Sequence, residues 1–84
     1  MSFEDLPGYK EAEALGYELH AYGRSRTMAD YTKGKMNLTI YSSGKAKLLH
    51  VHGLITFTTG EISFPNENFH LFEKQMLEII NKVK

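Results

Sequence analysis

The stretch that decides the fold is KMNLTIYSSGKAKLLHVHGLITFTTGEISF, residues 35–64. Apolar and polar residues alternate through it, the period of a half-buried β-strand. It is punctuated by Ser43-Gly44 and Thr59-Gly60, where glycine tolerates the positive φ that tight hairpin turns require. A two-residue turn at Ser43-Gly44 pairs Ser42 with Lys45, Ile40 with Lys47 and Leu38 with Leu49. That register puts Met36, Leu38, Ile40, Leu49 and Val51 on one face. A second turn at Thr59-Gly60 pairs Phe57 with Ile62 and Ile55 with Phe64. The strand between the turns then runs from Lys45 to Thr58. It is too long to lie straight in a small sheet and bends or bulges at Gly53.

Beyond Phe64 the period changes. Asn66 follows Pro65 as a helix N-cap. Phe69, Phe72, Met76, Ile79 and Val83 are spaced 3-4-3-4, widened by Leu77 and Ile80. This is an amphipathic helix, with Lys82 and Lys84 favourable at its C-terminal end. Upstream, Asp5 caps a short helix with Pro7 in its first turn. Tyr9, Ala12 and Leu15 form its apolar stripe, and Gly16 ends it. Tyr17, Leu19 and Ala21 alternate with Glu18, His20 and Tyr22 as a strand. A turn at Gly23–Arg26, a weak strand at Thr27–Thr32 and a turn at Lys33-Gly34 follow. The expected fold is α+β: a short N-terminal helix, a curved antiparallel meander of four or more strands, and a C-terminal amphipathic helix on one face.

Eighty-four residues predict one domain, 1–84, with a modest core, for which dimerisation is a natural way to add burial. There is no cysteine, so disulfides and thiolate metal sites are excluded. Met1 to Gly8 carries Glu4 and Asp5 and no apolar run, which argues against a signal peptide. No stretch approaches the ~18 apolar residues of a membrane span. A cytoplasmic protein with no membrane partner is the expectation.

The net charge is zero but segregated. Residues 1–23 hold five carboxylates against Lys10. Residues 24–52 hold Arg24, Arg26, Lys33, Lys35, Lys45 and Lys47 against Asp30, and residues 53–84 hold four Glu against three Lys. The basic middle third reads as an anion-facing surface, with nucleic acid the leading ligand. The competing reading is that these cations guard strand edges against aggregation. Tyr22, Tyr31 and Tyr41 are the aromatics available to stack bases. On the register above, Lys45 and Lys47 share the core-facing parity, so they snorkel or the hairpin tip projects past the helix.

His50-Val51-His52 places two imidazoles on one strand face, about 7 Å apart. A shared metal needs a third donor, for which His20 and Glu18 are the candidates. Without one, the face carrying Leu48, His50, His52 and Leu54 reads as a protein contact. No phosphate-cradling loop, nucleophile elbow or HExxH helix is present, so neither a catalytic residue nor a cofactor is assigned.

Two resemblances bear on function. Leu15-Gly16-Tyr17-Glu18-Leu19, followed by Gly23-Arg24-Ser25, resembles the opening of small HicA-type ribonuclease toxins. Arg26 stands where that family carries its catalytic histidine. Ile62-Ser63-Phe64, then Glu67, Phe69, Phe72, Gln75, Met76, Glu78 and Ile79, resembles the last strand and helix of the transcriptional positive-cofactor family. That family binds single-stranded DNA on a whirly-type curved sheet. Gly44-Lys45 falls at the family's basic hairpin, and four strands followed by one helix agree in order. The resemblance covers roughly Met36 to Lys82. Ser42 and Ser43 depart from the family's aromatic and lysine, and the N-terminal helix and strand have no counterpart in it. It implies a homodimer built through the terminal helix and a DNA contact at Lys45. Position near the hairpin tip adds Tyr41 and Lys47.

The resulting expectation is a non-enzymatic binding module engaging single-stranded nucleic acid through Arg24, Arg26, Lys35, Tyr41, Lys45 and Lys47. The alternative is a small protein-interaction or inhibitor protein, of the accessory type carried by phages and plasmids. Its partner would be a host or regulatory protein, met through the His50/His52 face or the C-terminal helix.

Overall fold

The computed structural model describes residues 3–83. A 3₁₀ turn at Phe3–Asp5 precedes helix α1 (Tyr9–Ala14). Five strands follow: β1 (Glu18–Tyr22), β2 (Met28–Lys33), β3 (Met36–Tyr41), β4 (Lys45–His52) and β5 (Ile55–Ser63). Helix α2 (Phe69–Val83) closes the chain order. The strands lie in sequence order, each antiparallel to the next, so the expected α+β meander is present with five strands.

The register of the central hairpin differs from the expected one by a single residue. The turn uses three residues, Ser42, Ser43 and Gly44, with Gly44 at φ +89° and its N–H donating to the Tyr41 carbonyl at 3.0 Å. Ile40 therefore opposes Ala46, Leu38 opposes Leu48, and Met36 opposes His50. Because side chains alternate faces, this slip turns the whole of β4 over. Ala46 and Leu48 are fully buried and His50 is 6% exposed, whereas Leu49 lies on the opposite face and Val51 is 46% exposed. Leu49 and Val51 are thus not in the core. The expected protein-contact face of Leu48, His50, His52 and Leu54 does not exist as a surface either, because its first two members lie inside.

The second expected turn is also relocated. His52 pairs with Ile55, so the hairpin is closed by Gly53 and Leu54, with Gly53 at φ +64°. A left-handed first residue is what a type II′ turn requires. Thr59-Gly60 instead forms a bulge inside β5. Lys47 pairs with Glu61 but Leu49 pairs with Thr58, leaving an extra residue on β5. The Leu48 N–H donates to Thr59 Oγ1 at 3.3 Å, and Gly60 sits at φ +77°. The bulge changes parity, so Phe57 before it and Ile62 beyond it both pack on the core.

The N-terminal segment packs against this core. Gly8, not Asp5, occupies the N-cap of α1, at φ +65°. A Cβ there would lie 2.5 Å from Ile40 Cδ1 and 3.2 Å from Phe64 Cε1, so only glycine lets the chain approach the sheet this closely. The helix ends as expected at Gly16, φ +92°. The Gly16 N–H donates to Glu13 O and the Tyr17 N–H to Ala12 O, both at 3.0 Å, the paired bonds of a Schellman motif. The weak strand of the sequence reading is the interior strand β2. Its core face carries Ala29 and Tyr31, fully buried, and its outer face carries Asp30 and Thr32. The Tyr31 hydroxyl donates to the Pro7 carbonyl at 2.7 Å and ties the N-terminal segment down.

Asn66 caps a turn ahead of α2 and not the helix itself. Its Oδ1 accepts from the Asn68 N–H at 2.8 Å, and α2 starts at Phe69. The buried stripe is Phe69, Met76 and Ile80, with Phe72 half-buried beside it. Leu77 and Ile79 flank the stripe and are 48% and 47% exposed. The Val83 side chain and Lys84 lie outside the described residues. Phe69 meets Phe64 edge-on with ring centres 5.4 Å apart, and Tyr17 edge-on at 6.1 Å, which anchors the start of α2.

Candidate nucleic-acid interface

In a meander, successive turns alternate between the two ends of the sheet. The Gly23–Thr27 and Ser42–Gly44 turns share one end, and a hydrogen bond from the Ser42 N–H to the Thr27 carbonyl, 2.8 Å, joins them. Arg24, Arg26, Tyr41 and Lys45 therefore gather there, and Lys47 lies one pleat further along β4. Lys35 does not join them. It sits in the Gly34-Lys35 turn at the far end.

The slipped register settles how the two lysines reach solvent. Tyr41, Lys45 and Lys47 belong to the sheet face opposite α2, so no snorkelling past the helix is needed. On that face Lys47 opposes Thr39 on one side and Glu61 on the other. Thr39 Oγ1 donates to Asp30 Oδ1 at 2.6 Å. The middle of the outer face is thus acidic on balance, with Lys47 set against Glu18, Asp30 and Glu61, and the surplus of cations lies at the turn end.

Arg26 occupies the left-handed region at φ +58°, rare for a side chain of its size. Its guanidinium stands 5.5 Å from the centre of the Tyr22 ring, a cation–π contact on a 45%-exposed tyrosine. Arg26 and half-buried Tyr41 also line a crevice of about 320 Å³ with Asp5, Glu11 and Ser42. Asp5 and Glu11 share that crevice with Arg26, while Arg24 and Lys45 stand exposed. Tyr31 is not available for stacking. It is 1% exposed, and its phenol is pushed up to about 12 by burial first, then by Tyr9 and the Glu11 carboxylate.

The histidine pair forms no metal site with the donors expected. His50 is buried, and Glu18 and His20 lie on β1, three strands from β4, or roughly 14 Å at ordinary strand spacing. Among the described residues no three His, Cys, Asp or Glu side chains converge on a point. Across the neighbouring strands His50 faces Met36 and Phe57.

One polar cluster had no sequence signal, because its members come from three distant elements. Tyr17 donates from its hydroxyl to Glu73 Oε2 at 2.7 Å, and Lys33 Nζ reaches the same oxygen at 2.8 Å. Lys33 Nζ also stands 4.7 Å from the centre of the Tyr17 ring and donates to the Leu15 carbonyl at 3.2 Å. Burial, then the hydrogen bond to Glu73 and its charge, hold the Tyr17 phenol far above its ordinary range. The cluster pins α2 to the end of β2 and the start of β1, a structural role.

Among the described residues no helix is long and apolar enough to cross a membrane. No protein-family model matches the chain, and neither a curated protein nor a solved structure matches it. A functional reading therefore rests on the chain's own residues.

Proposed function

We propose that the protein is a non-enzymatic binding module that engages single-stranded nucleic acid at the turn end of its sheet. The observation that carries this reading is the gathering of Arg24, Arg26 and Lys45 at that end of the sheet, with Tyr41 and Lys47 on its outer face and Tyr22, opposite Ala29, on the other. Cations spaced along two turns suit a flexible phosphate backbone, and exposed Tyr22, with half-buried Tyr41, offers stacking at about 1–3 kcal/mol per base. The whirly-type resemblance points to the same ligand and to Lys45.

Fluorescence anisotropy with a mixed-sequence single-stranded oligonucleotide, titrated from low to moderate salt, tests it. Each phosphate contact contributes about 0.7 to the slope of log K against log salt. Lys45→Ala with Lys47→Ala should flatten the slope by roughly 1.4, whereas Lys35→Ala, at the other end of the sheet, should leave it unchanged. Absence of binding at low salt removes the reading.

A second reading, a small protein-interaction or inhibitor protein, draws on the β4–β5 hairpin tip. There Leu54 is fully exposed beside Val51 and Ile55, which are 46% and 50% exposed. It predicts a complex insensitive to salt and to Lys45→Ala, and lost on Leu54→Asp.

A further inference from the structure

The two edges of the sheet are unequally protected. β1 is five residues long, begins with Glu18 and is broken by a bulge between Leu19 and Ala21, features that discourage pairing with another chain. β5 is nine residues long and ends the strand order, so among the described residues no strand lies beside its outer backbone groups. Its stretch Ile55–Gly60 carries no charge. Between this edge and α2 lies a crevice of about 210 Å³ lined by Phe57, Thr58, Phe72, Gln75, Met76 and Ile79, also without a charged group.

We propose that β5 pairs with β5 of a second copy of this chain, joining two five-stranded sheets into one of ten strands. The inference is independent of the nucleic-acid reading, which concerns other residues. Three features of β5 select a second copy as the occupant. First, cross-strand neighbours share a face. An antiparallel pairing centred on Phe57 sets Phe57 against the partner's Phe57 and Ile55 against the partner's Thr59, all on the α2 side. Thr56 then meets the partner's Thr58 on the other side, and the segment fills its own complement. Second, that register covers the regular stretch 55–58 and reaches Thr59, the first residue of the bulge. It leaves the bulge at Gly60 and the turn at Gly53 at its two ends, and sets no charged residue within the paired stretch.

Third, the helix layer fits. α2 packs over β4 and β5, the strands nearest this edge. A two-fold axis just outside β5 therefore puts the partner's α2 on the same side of the joined sheet, beside this one. The helices run antiparallel there, so the half-exposed Ile79 and the crevice beside it are covered by the partner's helix. The same symmetry turns the basic end of α2, with Lys82, toward the end of the partner's helix preceded by Glu67. The interface is isologous, and the assembly closes as a dimer.

Charge pairs on the outer face test both the pairing and its register. Thr56→Lys with Thr58→Lys sets like charges against each other across the axis. Thr56→Glu with Thr58→Lys sets opposite charges there. In sedimentation equilibrium the first variant should weaken the dimer at least tenfold and the second should hold it at the wild-type level. Ile79→Asp should weaken it as well. For wild type, amide exchange at Thr56–Thr58 should slow as concentration rises, a readout that needs no variant. A wild-type chain monomeric at roughly 100 µM, where even a micromolar complex is mostly assembled, overturns the proposal. So does a dimer that Ile79→Asp dissociates and both charge pairs leave intact, since the helices alone would then hold it. Capture of a foreign strand by a monomeric β5 edge would likewise count against self-pairing.

Discussion

Removing the Glu73 carboxylate is the most direct probe of what holds α2 to the sheet. Glu73→Ala deprives the Tyr17 hydroxyl, on a residue only 3% exposed, of its charged acceptor at 2.7 Å. Hydrogen bonds to charged groups contribute about 1.5–3 kcal/mol, and an orphaned buried hydroxyl forfeits most of that. The Lys33 ion pair adds little. Its lysine side chain is 41% exposed, and such pairs are worth about 0–1 kcal/mol. Alanine's higher helix propensity returns a few tenths, so the expected loss is about 2 kcal/mol. Glu73→Gln keeps a neutral acceptor and should lose about 1 kcal/mol. Urea denaturation followed by far-ultraviolet circular dichroism reads these losses as shifts in midpoint at constant slope. In a domain of this size, 2 kcal/mol should lower Tm by roughly 10 °C. A double-mutant cycle with Tyr17→Phe isolates the pair, and a coupling of about 1–2 kcal/mol is expected. Additivity within about 0.5 kcal/mol would refute the reasoning, because the two groups would then act independently across the helix–sheet contact.

Two further outcomes follow from the core. The Tyr31 phenol is raised to about 12 in the folded chain, so between its unfolded value near 10 and about 12 the unfolded state releases a proton that the folded state retains. Stability should be fully present below pH 10 and fall as pH rises toward 12. Tyr31→Phe should flatten that decline in a series of urea titrations and lower stability by about 1 kcal/mol at neutral pH, through loss of the bond to Pro7 O. The register of the central hairpin is tested by adjacent leucines. Leu48→Ala should cost about 2–5 kcal/mol and Leu49→Ala under about 1, and equal costs would contradict the three-residue turn.

Those leucines also show why part of the molecule was legible in sequence and part was not. The alternation from Met36 to Tyr41 and the helical period from Phe69 onward give correct elements, because each reports burial of its own segment. What they do not report is which of two adjacent parities in Lys45–His52 faces inward. Leu48-Leu49 satisfies either, and the decision belongs to the turn. Ser42, Ser43 and Gly44 suit both a two-residue and a three-residue connection, and the structure takes the longer one. Ser-Gly and Thr-Gly carry the same local signal, yet one closes a hairpin while the other forms a bulge. The true second turn, Gly53-Leu54, lacked the polar flank that marks a turn, because Leu54 is an apolar residue left in solvent. The two misplacements partly cancel. The slip at the first turn is offset by the unexpected reversal at Gly53-Leu54, which returns Phe57 to the α2 side, and the bulge then does for Ile62 and Phe64 what the expected turn would have done.

The site depends on the same turns for a different reason. A basic residue's end of a meander is set by how many turns precede it, not by its neighbours in sequence. Arg24 and Arg26 sit in the first reversal and Lys45 follows the third, two turns later, which returns it to their end. Lys35 sits at the reversal between and is carried away, although its local sequence is as basic as theirs. The slip that buries Leu48 also carries Lys47 to the outer face. A single turn residue therefore decides both the hydrophobic core and the charge of the candidate interface. Shortening the Ser42–Gly44 connection by one residue would oppose Leu48 against the wrong neighbours and draw Lys47 toward the apolar side. The two consequences cannot be separated.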